Sequence, residues 1–178
     1  RIARLASQAA GYPLSDEGVA RTFEEVLTGL GVSNKGLSIK DASGLSKENR
    51  VTAIQVGQLL VKIRSDSRFA SLIGGLPIGG LTGTLRHRFI DTAPQAIGLV
   101  KAKTGTLNGT ANLAGYVEAG DREYVFVIIA DRLKTSSRAE KFARSTVDRI
   151  LGKIAAPLLP IFPTQPAEIV VEEVTTTT

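Results

Sequence analysis

Residues 100–106 read Val-Lys-Ala-Lys-Thr-Gly-Thr, and this stretch decides how the rest of the chain is interpreted. Leu99, Lys101 and Lys103 are expected to point to one side and Val100 and Ala102 to the other, which is the alternation of a β-strand. Gly105 then breaks the alternation. The stretch predicts a strand that delivers a Lys-Thr-Gly turn to one edge of a sheet.

Two further strands are predicted directly after this one. Residues 112–118 and 123–130 are both rich in β-branched and aromatic side chains. The link between them, residues 119–122, reads Ala-Gly-Asp-Arg and suits a hairpin connection. We therefore expect three consecutive antiparallel strands.

Helices are predicted before and after this run of strands, from capping residues and from apolar side chains at helical spacing. The predicted helices cover residues 1–10, 15–30, 53–64, 69–73, 81–89 and 138–155, and a short strand is expected at 37–40. The buried face of the second helix is expected to hold Val19, Phe23, Val26 and Leu27, and that of the last helix Phe142, Val147, Ile150, Leu151 and Ile154. The predicted fold class is mixed α/β of the α+β type, with an antiparallel sheet flanked by helices.

A change of composition near residue 156 predicts two parts of the chain. Residues 1–155 are expected to form one domain. Residues 156–178 contain Pro157, Pro160, Pro163 and Pro166, which oppose regular structure, and end in four threonines. We expect an extended Pro-rich tail there, in which residues 169–174 can pair as an edge strand.

Composition narrows the classes of function. The 178 residues carry a formal net charge of +5, but the basic residues are spread over every segment without an aromatic-interleaved cluster, so no nucleic-acid partner is expected. With no cysteine and a single histidine, His87, neither a metal nor another cofactor is expected. The longest apolar runs are too short for a membrane span.

The Lys-Thr-Gly stretch carries the candidate site residues Lys103, Thr104, Gly105 and Thr106. A lysine at a strand end is a fixed positive charge for a carboxylate, and the two threonines add hydroxyl donors. Because Gly105 lacks a side chain, a ligand backbone can lie against the strand edge as an added strand. The N–H of Thr106 can then serve an oxyanion hole. A plain exposed turn is the alternative reading of these residues when they are taken alone.

Three stretches in a fixed order favour a functional site over a plain exposed turn. Residues 41–50 read Asp-Ala-Ser-Gly-Leu-Ser-Lys-Glu-Asn-Arg, and residues 76–88 contain Leu-Pro-Ile-Gly-Gly, Gly-Thr-Leu and a final arginine. Residues 101–117 contain Lys-Ala-Lys-Thr-Gly-Thr and Leu-Ala-Gly-Tyr-Val. In order and spacing, residues 1–155 resemble the D-alanyl-D-alanine carboxypeptidase/endopeptidase family of low-molecular-mass penicillin-binding proteins, particularly its penicillin-binding protein 4-like members.

The resemblance implies a fold, a location and a reaction. The chain would be the C-terminal part of a β-lactamase/transpeptidase-like domain that acts outside the cytoplasm on D-Ala-D-Ala stem peptides of peptidoglycan. A serine acyl-enzyme would form, and β-lactams would acylate the same serine. Lys103 would hold the serine of a Ser-x-Asn motif, while Thr104 and Thr106 would bind the terminal carboxylate. The glycine-rich loop at 74–80 would help to shape the cleft.

The other two catalytic motifs of that family are not found. No serine stands three residues before any lysine, and no Ser-x-Asn occurs. Ser43 and Ser46 lie in a loop with no base at a fixed offset, so neither is expected to be a nucleophile. We expect the nucleophile and its base in an upstream half of the same protein. The alternatives that stay open are a non-catalytic binding remnant that recognises peptides at the sheet edge, and a purely structural remnant of the fold.

Overall fold

The computed structural model describes residues 1–107 and 109–156. Its strands are β1 (Val100–Leu107), β2 (Thr110–Ala119) and β3 (Arg122–Ala130), and its helices are α1 (Ile2–Ala9), α2 (Asp16–Gly29), α3 (Ala53–Arg64), α4 (Ala70–Gly74) and α5 (Ser137–Ala155). Short 3-10 turns occur at Ser67–Phe69, Gly83–Leu85 and Pro94–Ala96. The expected mixed fold with an antiparallel sheet is confirmed. The predicted tail, including its strand at 169–174, falls outside the described residues except for Ala156.

The sheet is antiparallel with the order β1-β2-β3. Lys103 is opposite Ala114 and Gly105 is opposite Asn112, so the pairing continues past the Lys-Thr-Gly residues. The prediction of a turn at Gly105 is therefore wrong, because this glycine lies inside the strand. The strand ends only after Leu107, where Gly109 adopts a left-handed backbone with φ +82°.

The hydrophobic core lies between the sheet and α5. Val100 and Ala102 lie on the same side of β1 and are fully buried, in a cluster with Leu113, Val117, Phe126, Leu85, Phe89, Val147 and Leu151. Helix α5 begins where the Ser136 hydroxyl accepts a hydrogen bond from the Ala139 N–H. Its buried side is formed by Ala143, Val147, Leu151 and Ala155, which follow each other every fourth residue.

Helix α3 packs against strands β2 and β3. Its start is fixed by a capping box, in which Thr52 accepts from the Gln55 N–H and the Gln55 side chain accepts from the Thr52 N–H. The hydroxyl of the buried Tyr116 in β2 donates to the carbonyl of Leu60 in α3, at 2.9 Å. Because Tyr116 and Lys101 are paired residues, this side of the sheet is also the side of Lys101 and Lys103.

Several local predictions are wrong. Residues 81–89 form only the 3-10 turn at Gly83–Leu85, since Gly83 and Phe89 both have positive φ and cannot continue a helix. The predicted strand at 37–40 is reduced to one bridge between Ser38 and Arg50.

Some predicted core side chains lie at the surface instead. On α5, Phe142 is 69% exposed and Ile150 is 45% exposed, because each stands one residue away from the fourfold-spaced side that faces the sheet. On α2, Val19 is buried as expected but Phe23 and Val26 are exposed. Helix α2 packs instead against α1, with Gly18 close to Ser7.

Candidate active site

The edge of β1 that faces away from β2 has two halves, the first at residues 100–102 and the second at residues 104–106. In the first half the Gly79 N–H donates to the Val100 carbonyl at 2.8 Å, and the Ala102 N–H donates to the Pro77 carbonyl at 2.9 Å. Alternate residues of a strand direct their backbone groups to the same edge, so the N–H groups of Thr104 and Thr106 point outward as well. Within the part of the chain that the structure describes, β2 is the only strand paired with β1. The second half of the edge is therefore open as far as residues 1–107 and 109–156 are concerned.

Lys103 brings a positive charge to this open edge. Its side chain is exposed, and its Nζ donates to the outward carbonyl of Thr104 at 2.6 Å. Lys101 lies two residues earlier on the same side of the strand, and its Nζ is 2.8 Å from Oε1 of Glu118. Among the seven ion pairs found in the described residues, none includes Lys103. Lys101 is thus neutralised locally, whereas Lys103 is available to an anionic ligand.

The side chains of Thr104 and Thr106 lie on the α5 side of the sheet, where they line a cavity of about 240 Å³. The Thr104 hydroxyl donates to the hydroxyl of Thr84 at 3.1 Å. Thr84 belongs to the 3-10 turn at Gly83–Leu85. Arg88 and Arg144 also line the cavity. The side chains of Thr104 and Thr106 therefore share this cavity with two arginines.

A buried ion pair fixes the turn that carries Thr84. Nη2 of Arg88 is 2.5 Å from Oδ1 of Asp148 in α5, and the two side chains are 16% and 4% exposed. The Asp148 carboxylate also accepts from the Phe89 N–H and the Thr92 hydroxyl. Since a buried carboxylate needs such partners, Asp148 ties the segment before β1 to the helix beneath the sheet.

Gly105 leaves space on the other side of the strand. A Cβ added there would lie 3.4 Å from the Cβ of Asn112, at the close end of van der Waals contact. No positive φ requires glycine at this position. Because Gly105 has no side chain, the surface of the strand beside Lys103 stays uncovered.

The loop at 41–46 is closed by its own hydrogen bonds. The Asp41 carboxylate accepts from the N–H groups of Gly44 and Ser46 at 2.8 Å each and from the Asn49 side chain at 3.0 Å. The bond from Asn49 lowers the pKa of the Asp41 carboxyl. The Ser43 hydroxyl donates to the same carboxylate. Among the described residues, the hydrogen bonds of this loop stay within residues 38–50, and none of them reaches β1.

The structure thus brings the predicted residues Lys103, Thr104, Gly105 and Thr106 together along one open strand edge, with residues 77–79 immediately before them. Thr84 and Arg88 belong to a stretch that the sequence marked only through its resemblance. Arg144 had no signal in the sequence, because nothing in a helical pattern distinguishes it from other exposed arginines. His87 is exposed.

Two further findings concern the described residues alone. They contain no group of three or more His, Cys, Asp or Glu side chains that could hold a metal ion. None of their helices combines the length and the apolar character that crossing a membrane requires.

Comparison with known proteins finds relatives by sequence and by structure. The model of the D-Ala-D-Ala carboxypeptidase 3 (S13) family matches residues 2–154. Carboxypeptidase DacB of Mycolicibacterium smegmatis is 35% identical over 156 residues, which are 85% of this chain and 34% of that protein. A D-alanyl-D-alanine carboxypeptidase of Actinomadura sp. strain R39 is 38% identical over 133 residues, 72% of this chain and 24% of that protein. The chain therefore spans 34% and 24% of the length of these two relatives.

A solved structure shares the fold. Penicillin binding protein 4 of Haemophilus influenzae, crystallised in complex with a β-lactam, superposes with a TM-score of 0.72 at 25% identity. The match covers 84% of this chain and 36% of that one.

Proposed function

Because this chain belongs to the D-Ala-D-Ala carboxypeptidase 3 (S13) family, we propose that it supplies the Lys-Thr-Gly element of a serine D,D-carboxypeptidase/endopeptidase. The substrates are the D-Ala-D-Ala stem peptides of peptidoglycan, and the site of action is outside the cytoplasm. The observation that carries the proposal is the open second half of the β1 edge, with the Lys103 ammonium 2.6 Å from the outward carbonyl of Thr104.

In this proposal the substrate backbone lies along β1 as an added strand. Its groups pair with the outward N–H and C=O groups of Thr104 and Thr106, which are arranged as the receiving edge of a sheet. The hydroxyl of Thr106 donates to the terminal carboxylate, and that of Thr104 does so when its proton turns away from Thr84. The uncovered surface at Gly105 admits the ligand next to Lys103.

The chemical step is acyl transfer to a serine contributed from outside these 178 residues. The serine oxygen attacks the carbonyl of the penultimate D-alanine, the C–N bond breaks, and D-alanine leaves with a proton. Water then cleaves the ester and regenerates the serine. The Thr106 N–H, together with the N–H of the nucleophile, stabilises the oxyanion, and loss of such a donor costs about two to three orders of magnitude in rate.

Lys103 acts by its charge. It holds the serine of a Ser-x-Asn motif, which is also contributed from outside this chain, and supplies positive potential to the carboxylate and the oxyanion. β-Lactams acylate the same nucleophile because their strained amide resembles the D-Ala-D-Ala bond.

A non-catalytic role is the second candidate, because Ser-x-x-Lys is missing from the sequence. In that case the chain would bind peptides at the same edge, or keep only the scaffold, without acylation.

Labelling with a fluorescent penicillin tests the proposal on the full gene product that carries this chain. We expect labelling of the unmodified protein, and a loss of about a hundredfold or more in labelling rate for Lys103→Ala, as for removal of other groups that stabilise a transition state. Lys101→Ala is the matched control, because that lysine is paired with Glu118, and it should retain labelling. Absence of labelling in the unmodified protein favours the non-catalytic role, and equal labelling of both variants contradicts the role of Lys103.

A further inference from the structure

The cavity beside Thr104 and Thr106 has a cationic wall on α5 that the Lys-Thr-Gly motif does not include. We infer that Arg144 is a specificity-determining residue, whose guanidinium selects ligands with a free carboxylate at this cavity. The inference rests on the proposed function and concerns the same site.

The lining of the cavity favours an anion. The hydroxyls of Thr84 and Thr106 can donate to it, Leu113 and Val147 form apolar surface, and no Asp or Glu side chain lines the cavity. A volume of about 240 Å³ suits a group as small as a single C-terminal residue. An arginine presents a planar fork of donors that matches a carboxylate in two parallel hydrogen bonds.

The two arginines of the cavity differ in how much of their charge is already used. Arg88 is held by the buried Asp148 through Nε and Nη2, with contacts between 2.5 and 3.1 Å, and it also donates to the Arg144 carbonyl. Arg144 is 43% exposed, and its ion pair with Glu140 on the same helix is long, at 3.5 Å. The Glu140 side chain is 28% exposed, and a long, partly exposed pair of this kind is weak, so a carboxylate in the cavity can replace Glu140 as the partner of Arg144.

Arg88 therefore has a structural task, whereas Arg144 carries the positive charge that a ligand can reach. Thr84 supports this arrangement, because it accepts the hydroxyl proton of Thr104 and can donate its own proton into the same cavity. Lys103 lies on the opposite side of the strand, so the two cations approach a bound ligand from different sides.

The test compares two peptides that differ only at the end of the chain. One is a peptide ending in D-Ala-D-Ala with a free carboxylate, and the other is the same peptide with a C-terminal amide. The value of kcat/KM is measured for both with the full gene product. We expect the unmodified protein to prefer the acid, and Arg144→Gln to reduce that preference by about tenfold or more, as expected for loss of a charged hydrogen bond. The rate with the amide should stay unchanged.

Three further variants make the result specific. Arg144→Lys should restore part of the preference because it keeps the charge. Glu140→Gln should raise the preference for the acid about twofold, since it removes a weak competitor for Arg144. Arg149→Gln removes an exposed arginine of the same helix that does not line the cavity, and it should leave the preference unchanged.

The outcomes separate the two proposals. If the unmodified protein hydrolyses neither peptide and is not labelled by penicillin, the proposed function is wrong and the inference fails with it. If the protein is active but Arg144→Gln lowers the rates for acid and amide equally, or lowers neither, the inference alone is overturned. A fall in preference with Arg149→Gln as large as that with Arg144→Gln also overturns it.

Discussion

The two halves of β1 differ in what their outer edge contacts, although they belong to one strand. In the first half, Val100 and Ala102 are buried and bonded to Gly79 and Pro77, and Lys101 is paired with Glu118. In the second half, the backbone of residues 104–106 faces outward beside the exposed Lys103. The first half therefore joins β1 to the preceding segment, whereas the second half has the groups and the space to receive a ligand.

The largest expected effect concerns the anchor of the first half. Asp148→Ala leaves the mostly buried guanidinium of Arg88 without its carboxylate partner, and we expect a loss of about 3 kcal/mol in the free energy of unfolding. Urea denaturation of the 178-residue chain measures it. The control is Glu123→Ala, which breaks the more exposed pair with Arg64 and should cost about 1 kcal/mol or less. If the two variants lose equal stability, the segment before β1 is not anchored through Asp148.

Two glycine substitutions compare how tightly the two halves of β1 are packed. At Gly79, which is bonded to the first half, a new Cβ would lie 2.9 Å from the Phe89 ring and 3.4 Å from Val100. We expect Gly79→Ala to cost about 1–3 kcal/mol through overpacking.

Gly105→Ala, in the second half, meets only Asn112 at 3.4 Å or more. A gain of about 0.5–1 kcal/mol from replacing glycine inside a strand offsets that contact, so the free energy of unfolding should change little. The same denaturation assay compares the two variants. An equal cost at both positions would show that the second half is packed as tightly as the first.

The sheet could be predicted from the sequence because its signals are local. The alternation in β1 and the β-branched residues of the next two segments are patterns of a few neighbouring residues. Thr52 likewise marks the start of the helix that follows it, because it is the capping residue. The shape of residues 81–89 could not be predicted in this way. It depends on the contact of Arg88 with Asp148, which lies 60 residues further along the chain. That contact selects a turn with positive φ at Phe89 over the helix that the composition favours.

The candidate site was predictable in part for the same reason. The four residues of the Lys-Thr-Gly stretch are contiguous, so a motif can identify them. The cavity wall is assembled from Thr84, Thr104 and Arg144, which belong to three separate elements. No local pattern reports that such elements meet, and the exposed positions of Phe142 and Phe23 depend likewise on how whole helices are oriented.

Amide hydrogen exchange at β1 tests the difference between the two halves most directly. In the 178-residue chain without ligand, the Ala102 N–H should exchange slowly because it donates to Pro77, whereas the N–H groups of Thr104 and Thr106 should exchange rapidly. In the full gene product, acylation by a β-lactam should slow exchange at Thr106. Slow exchange at Thr104 and Thr106 without ligand, equal to that of Ala102, would show that the edge is already occupied and would contradict the account.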